Sequence, residues 1–148
     1  MTIYLGADHA GFALKQKTKE FLERAGYTIA DMGAYAHNDG DDYPEFIIAA
    51  AQAVANDIIK GIDSRGIIFG GSGQGEAMAA NRIDGVRAAV FYGGPMDIIT
   101  LSRQHNDANV LSLGARFVSE AEALAAVKLW LETPFSNEER HKKRIMKF

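Results

Sequence analysis

Apolar residues in this chain fall into five short runs, and each run gives way to glycine or a polar loop before a segment of helical periodicity. Ile3-Tyr4-Leu5 stops at Gly6, and Phe12, Leu14, Phe21, Leu22 and Ala25 then recur at helical spacing as far as Gly26. This spacing predicts a strand, a loop and a helix. Tyr27 to Ala30 predicts a second strand, and the stretch His37-Asn38-Asp39-Gly40-Asp41-Asp42 after it has the composition of a surface loop. Pro44 suits the first turn of a helix whose alanine-rich body runs from about Glu45 to Lys60. Gly66-Ile67-Ile68-Phe69 predicts a third strand, Gly70 to Gly75 a glycine-rich turn, and Glu76 to Arg82 a helix. Arg87 to Tyr92 and Asn109 to Leu113 supply the fourth and fifth strands, with a helix from Pro95 to about Arg103 between them and another from Glu120 to Leu131 after them. Ser136 to Lys147 is a last, basic helix.

Strands that alternate with helices imply a parallel sheet covered on both faces, which explains why these strands are apolar throughout instead of alternating. The expected fold is therefore α/β: a three-layer Rossmann-like arrangement with a five-stranded parallel sheet flanked by helices, plus the C-terminal basic helix. The 148 residues suit one domain, residues 1–148, with no repeat or interdomain linker. With no cysteine, the chain can hold neither a disulfide nor a thiolate metal site, and it has no cysteine nucleophile. Met1 to Gly6 has no signal-peptide character and no run approaches the ~20 apolar residues of a membrane span, so a soluble cytoplasmic protein is expected. A net charge of −3 opposes a broad affinity for nucleic acid. Five of the sixteen basic residues nonetheless lie between Arg140 and Lys147, which concentrates positive charge at one place.

Ligands of open α/β sheets bind at the carboxyl ends of strands where the strand order reverses. An order of 2-1-3-4-5 would place that point between strands 1 and 3, bringing Gly6-Ala7-Asp8-His9-Ala10-Gly11 beside Gly70-Gly71-Ser72-Gly73-Gln74-Gly75-Glu76. Gly71, Gly73 and Gly75 let backbone amides approach a bound oxygen at the start of a helix, and Ser72 and Glu76 bracket that oxygen with a hydroxyl and a carboxylate. A tight turn that merely needs glycine would look the same without them. A dinucleotide fingerprint fits poorly: it normally follows the first strand, its last spacing differs, and Phe91-Tyr92-Gly93 ends the next strand without an acidic residue. No Lys-Ser or Lys-Thr follows the loop, so the P-loop pattern is absent too.

Asp8-His9 can cap the helix that follows and still serve chemistry. His105, in His105-Asn106-Asp107 before the fifth strand, is expected near the same sheet edge, where an imidazole can exchange a proton with a sugar ring oxygen. Arg140 and Arg144 stand four residues apart and project from one face of the last helix, a fork suited to phosphate; a solvated basic helix end would show the same spacing. Arg116, after the fifth strand, is a further anion ligand.

Together, Gly6-Ala7-Asp8-His9-Ala10-Gly11, the Gly70 to Glu76 loop, Arg103-Gln104-His105-Asn106-Asp107-Ala108-Asn109 and Arg140-His141-Lys142-Lys143-Arg144-Ile145 strongly resemble the ribose-5-phosphate isomerase B family, almost end to end. The wider family also includes galactose-6-phosphate isomerase subunits. Many members carry a cysteine base at the position of Gly70, and this chain departs from them there. An actinobacterial-type branch replaces that cysteine with glycine and takes its base from a glutamate just after the loop, where Glu76 stands. The resemblance implies that Asp8 and His9 contact the sugar and its phosphate, and that residues 71 to 75 (Gly71, Ser72, Gly73, Gln74, Gly75) hold the reacting oxygens. It further implies that His105 helps to open the ring, that Asn106 binds the sugar, and that Arg116, Arg140 and Arg144 bind phosphate. It also implies a homodimer, with tetramers open, whose sites are assembled from two chains.

The expected reaction is aldose to ketose conversion of ribose 5-phosphate through an enediolate, with one carboxylate making both proton transfers and neither metal nor cofactor taking part. The alternatives are the same chemistry on a four-carbon or six-carbon sugar phosphate (erythrose 4-phosphate, allose or galactose 6-phosphate), and a non-catalytic sugar-phosphate or nucleotide-binding regulator that has kept the fold.

Overall fold

Each of the five apolar runs pairs edge to edge with another in the computed structural model, which describes residues 1–148. The strands are β1 (Thr2–Ala7), β2 (Thr28–Asp31), β3 (Ser64–Gly70), β4 (Ala88–Phe91) and β5 (Val110–Gly114). The helices are α1 (Phe12–Arg24), α2 (Tyr43–Ile59), α3 (Gln74–Ala80), α4 (Asp97–Asn106), α5 (Glu120–Glu132) and α6 (Glu139–Ile145). Pro44 lies in the first turn of α2, as its fixed φ and missing N–H favour.

All pairings are parallel, in the order β2-β1-β3-β5-β4. The expected reversal between β1 and β3 is present, but the expected order of the last two strands is corrected: β5 lies beside β3 and β4 takes the edge. Burial explains the exchange. Every residue of β5 is buried, whereas the small residues of β4, Ala88 and Ala89, are only half-buried. A parallel strand covered on both faces belongs inside the sheet, and the strand with less apolar surface to hide can stand at its edge.

The strands look apolar throughout, yet their two faces belong to different cores. Ile3, Leu5, Ile67, Phe69, Leu111 and Leu113 pack with Leu14 and Leu22 of α1, Ile99 of α4 and Trp130 of α5. Ile68 and Val110 point the other way, against Ile47, Ala50 and Val54 of α2 and Ala80 of α3. A one-residue slip would exchange the two sets, and burying each large aliphatic side chain is worth roughly 1.5–3 kcal/mol, so the register is strongly specified. No helix is long and apolar enough to cross a membrane.

Lys15 fixes how the loop after β2 leaves the sheet. Its side chain is fully buried, and its ammonium donates to Asp31 Oδ1 at 2.5 Å and to the Ala34 carbonyl at 2.7 Å. Burial works against this charge and lowers the Lys15 pKa, while the ion pair to Asp31 opposes the shift. Met32 and Ala34 donate N–H groups to Leu5 and Ala7, which carries the β1 pairing onward and sends residues 35–42 over the carboxyl edge of the sheet.

Candidate active site

Two loops meet at the carboxyl ends of β1 and β3. The approach is close: a Cβ on Gly11 would fall 2.5 Å from the Phe69 backbone carbon, so the start of α1 sits directly on the end of β3. Asp8 is buried, and its Oδ1 accepts the Gly11 N–H at 3.0 Å, closing the turn into α1. The capping expectation therefore holds in part, because the bond goes to the residue before the helix.

After β3, Gly73 adopts φ +77°, a left-handed conformation that a side chain would strain, and the chain turns there into α3. That reversal folds Glu76 back over the end of its own strand. Gly70 makes room for it: a Cβ at position 70 would overlap the Glu76 carboxyl and lie 2.8 Å from its Cγ. The carboxyl thus fills the space that a side chain at position 70 would need. Glu76 is only 4% exposed. Burial raises its pKa above the ordinary carboxylate value and the nearby charge of Asp8 adds to the rise, while N–H groups of Glu76 and Gly73 partly offset both. A carboxylate so raised is a stronger proton acceptor when ionised, as general base catalysis near neutral pH requires.

The corrected strand order brings β5 into this site. Ala115 and Arg116 donate N–H groups to the carbonyls of Gly70 and Gly71 at 2.8 and 3.1 Å, and the Ser112 hydroxyl donates to the Gly73 carbonyl at 2.7 Å. The Arg116 guanidinium then lies against Gly71, whose Cβ would be 3.3 Å from its central carbon. Ser72 Oγ accepts the Gln74 N–H at 3.3 Å, which leaves its own proton free for a ligand oxygen.

Two residues without an assigned role in the sequence reach this edge, Asp41 and Tyr43, and a third, His141, joins His105. Asp41 Oδ1 accepts the His9 backbone N–H at 2.9 Å and faces His9 Nδ1 at 2.8 Å. The Tyr43 hydroxyl rests against the loop, 2.7 Å from where a Gly75 Cβ would be. His141 stacks on His105, with ring centroids 4.2 Å apart and planes 13° from parallel. Asp41 and Tyr43 have no signal of their own in an acidic loop, because only the Lys15 anchor decides where that loop lands. Asp8, His9 and Asp41 each bring one donor atom within 4.8 Å of the others, a spacing a cation could share.

His105 is not at this edge, which corrects its expected place. Helix α4 starts from the carboxyl end of β4 and must return to the amino end of β5, so its last residues finish on the opposite side of the sheet. Arg87, just before β4, donates from Nε to the carbonyls of Asn106 and Asp107 at 3.0 Å each, which fixes that position. Across the seven residues of β3, the two edges are about 20 Å apart. The basic helix joins His105 there: Ser136 N–H donates to the Gln104 carbonyl at 3.1 Å, and His141, 2% exposed, lies on the His105 ring. Burial, then the neighbouring His105 and Arg140, lower the His141 pKa and favour its neutral form. Arg140 and Arg144 are exposed, and Arg140 pairs with Glu138 at 2.8 Å. The structure therefore brings Asp8, His9, Gly71, Ser72, Gly73, Gln74, Gly75, Glu76 and Arg116 together on one edge, and His105, Asn106, Arg140 and Arg144 on the other.

A family profile described as Ribose/Galactose Isomerase matches residues 3–148. The chain belongs to that family. It is 44% identical over 145 residues to ribose-5-phosphate isomerase B of Mycolicibacterium paratuberculosis, covering 98% of this chain and 87% of that protein. Its fold superposes on ribose-5-phosphate isomerase B from Clostridium thermocellum with a TM-score of 0.90 at 40% identity, covering 99% and 94% of the two chains. The enzyme of the same name from Mycoplasma genitalium, solved with bound ribulose-5-phosphate, gives 0.91 at 35% identity, covering 99% and 92%. Family membership thus rests on nearly the whole length of the chain, both edges of the sheet included.

The bond to Asp41 raises the His9 pKa, more than burial lowers it, and the charges of Asp8, Asp41 and Asp39 add to the rise. The imidazolium therefore persists above the ordinary 6.5 and offers a positive charge to an anionic ligand. Because the folded value is the higher one, the stability this pair contributes is complete below the ordinary value and is lost as pH rises through the raised one. Asp41→Asn is expected to move the His9 titration, followed by histidine NMR, down toward or below the ordinary value. An unchanged titration would remove Asp41 from this role.

Proposed function

We propose that the chain is an aldose–ketose isomerase that interconverts ribose 5-phosphate and ribulose 5-phosphate, with Glu76 as the base and with each active site completed by a second copy of the chain. The observation that carries this reading is the Glu76 carboxyl: buried, raised in pKa, and seated in the space of residue 70 beside the amides of residues 71–75. The choice of a five-carbon substrate draws on relatives named ribose-5-phosphate isomerase B and on the ribulose-5-phosphate bound by one of them.

In this mechanism the open-chain aldehyde lies along the 71–75 loop. Glu76 takes the proton from C2, the electrons of that bond form the C1–C2 double bond, and the charge moves onto O1. Loop amides and the Ser72 hydroxyl stabilise that oxyanion, a type of contact whose loss typically lowers kcat by about 10²–10³-fold. The O2 proton then passes to O1, and Glu76 returns its proton to C1 to give the ketose. His9, held by Asp41, and Arg116 supply positive charge on the same edge.

The topology supports a second copy. His105, Asn106, Arg140 and Arg144 stand about 20 Å from Glu76 within one chain, too far to share a five-carbon substrate with it. A partner that lays its amino edge against this carboxyl edge supplies the ring-opening imidazole and the arginine fork, and isologous pairing then makes two equal sites.

A panel of four-, five- and six-carbon aldose phosphates is expected to give the highest kcat/KM with ribose 5-phosphate; a clear preference for another chain length would reassign the substrate. Co-expression of a Glu76→Gln chain with a His105→Ala, Arg144→Ala chain, each inactive alone, is expected to restore about one quarter of wild-type activity. That is the fraction of intact sites when two chains pair at random. No recovery in verified mixed dimers would mean that each chain carries a whole site.

A further inference from the structure

At the amino edge, where β3 begins, Ser64, Arg65, Asn109 and two further arginines, Arg87 and Arg103, line a small pocket of about 170 Å³ with two carboxylates, Asp63 and Asp107. Its charges do not balance. Asp107 is shared by two guanidinium groups, accepting from Arg87 Nη2 at 2.9 Å and from Arg103 Nη1 at 2.8 Å. Arg103 also spends Nε on the Thr133 carbonyl and Nη1 on the Ala108 carbonyl. Arg65 has no ion pair: Asp63 and Asp107 favour its charge only from a distance, while burial and the neighbouring Arg103 oppose it.

Two buried polar atoms of this pocket have no partner, Nη1 of Arg65 and Oγ of Ser64, and Ser64 is only 5% exposed. Buried donors are nearly always satisfied, so unpartnered ones on two adjacent residues of the lining point to an acceptor brought in from outside. The guanidinium groups of Arg65 and Arg103 both lie against the ring of Trp130, at 5.5 and 5.8 Å from its centroid, so one aromatic residue supports two like charges.

We propose that this pocket binds a phosphoryl oxyanion, held by the Arg65 and Arg103 guanidinium groups and by the Ser64 hydroxyl, at a site distinct from the Glu76 loop and from the Arg140–Arg144 fork. Guanidinium pairs match the oxygen geometry of phosphate, and the hollow has room for a phosphate group. The position gives such a ligand a bearing on the neighbouring segment. Asp107 follows Asn106 directly, so an anion that draws on Arg103 acts on the same clamp that holds the His105-Asn106 turn.

Trp130 is the only tryptophan and is fully buried beneath the two arginines, so its emission reports on this pocket. Titration with inorganic phosphate, with ionic strength held constant by chloride, is expected to change that emission saturably. Arg65→Gln is expected to raise the midpoint by about tenfold or more, the loss of a charge-assisted contact. Ser64→Ala, which removes only an unpartnered hydroxyl and leaves the fold undisturbed, should raise it less but in the same direction. Arg144→Ala should leave it unmoved. A parallel titration with glycerol 2-phosphate separates free from esterified phosphate: a response to both places the group of a monoester in the pocket, and a response to phosphate alone restricts it to the free anion. The proposal is overturned if chloride reproduces the change, if Ser64→Ala keeps the wild-type midpoint, or if Arg144→Ala shifts it.

Discussion

Glu76 and Gly70 compete for one volume, and the site depends on the carboxyl having it. Because position 70 lacks a side chain, a residue six places further along can fold back and bury its carboxyl at the end of β3. That burial raises the pKa, and Asp8 adds its charge to the effect. The reversal that makes this possible is held at several points, by the left-handed Gly73, by the Ser112 hydroxyl on its carbonyl, and by the bonds from Ala115 and Arg116 to Gly70 and Gly71. The carboxyl thus stands where a side chain at position 70 would otherwise stand, at the end of β3.

The second constraint is the direction of the chain. In a parallel sheet every crossover helix returns from the carboxyl edge to the amino edge, so residues at the end of α4 and residues of a strand-end loop lie on opposite sides. His105 and Glu76 are separated in this way, and the C-terminal helix packs at the His105 end. Pairing two chains is the simple way for such a fold to use both sets of residues on one small substrate.

Much of this was legible in the sequence. Apolar runs bounded by glycine gave all five strands to within a few residues, and the meeting of the Asp8 and Gly70 loops followed from the reversal between β1 and β3. The order of β4 and β5 was not legible, because it depends on the relative burial of two similar apolar runs and not on their pattern. Arg116 therefore gained a place against Gly71 that its position in sequence did not specify. The edge on which His105 stands was not legible from its nearness to β5 alone, because residues that precede a parallel strand lie at its amino end and residues that follow it at its carboxyl end. Asp41 could not be found at all, since its partnership with His9 depends on a loop anchored by the buried Lys15.

The proposed isomerisation turns on Glu76 as the group that moves the proton. Solvent deuterium incorporation into ribose 5-phosphate and its ketose, followed by NMR for wild type and for Glu76→Gln, tests this most directly. The predicted result is rapid incorporation by wild type and, in a variant that still folds and binds the sugar phosphate, a loss of about 10²–10⁴-fold, the usual worth of a positioned base. Incorporation at the wild-type rate by Glu76→Gln would show that another group moves the proton.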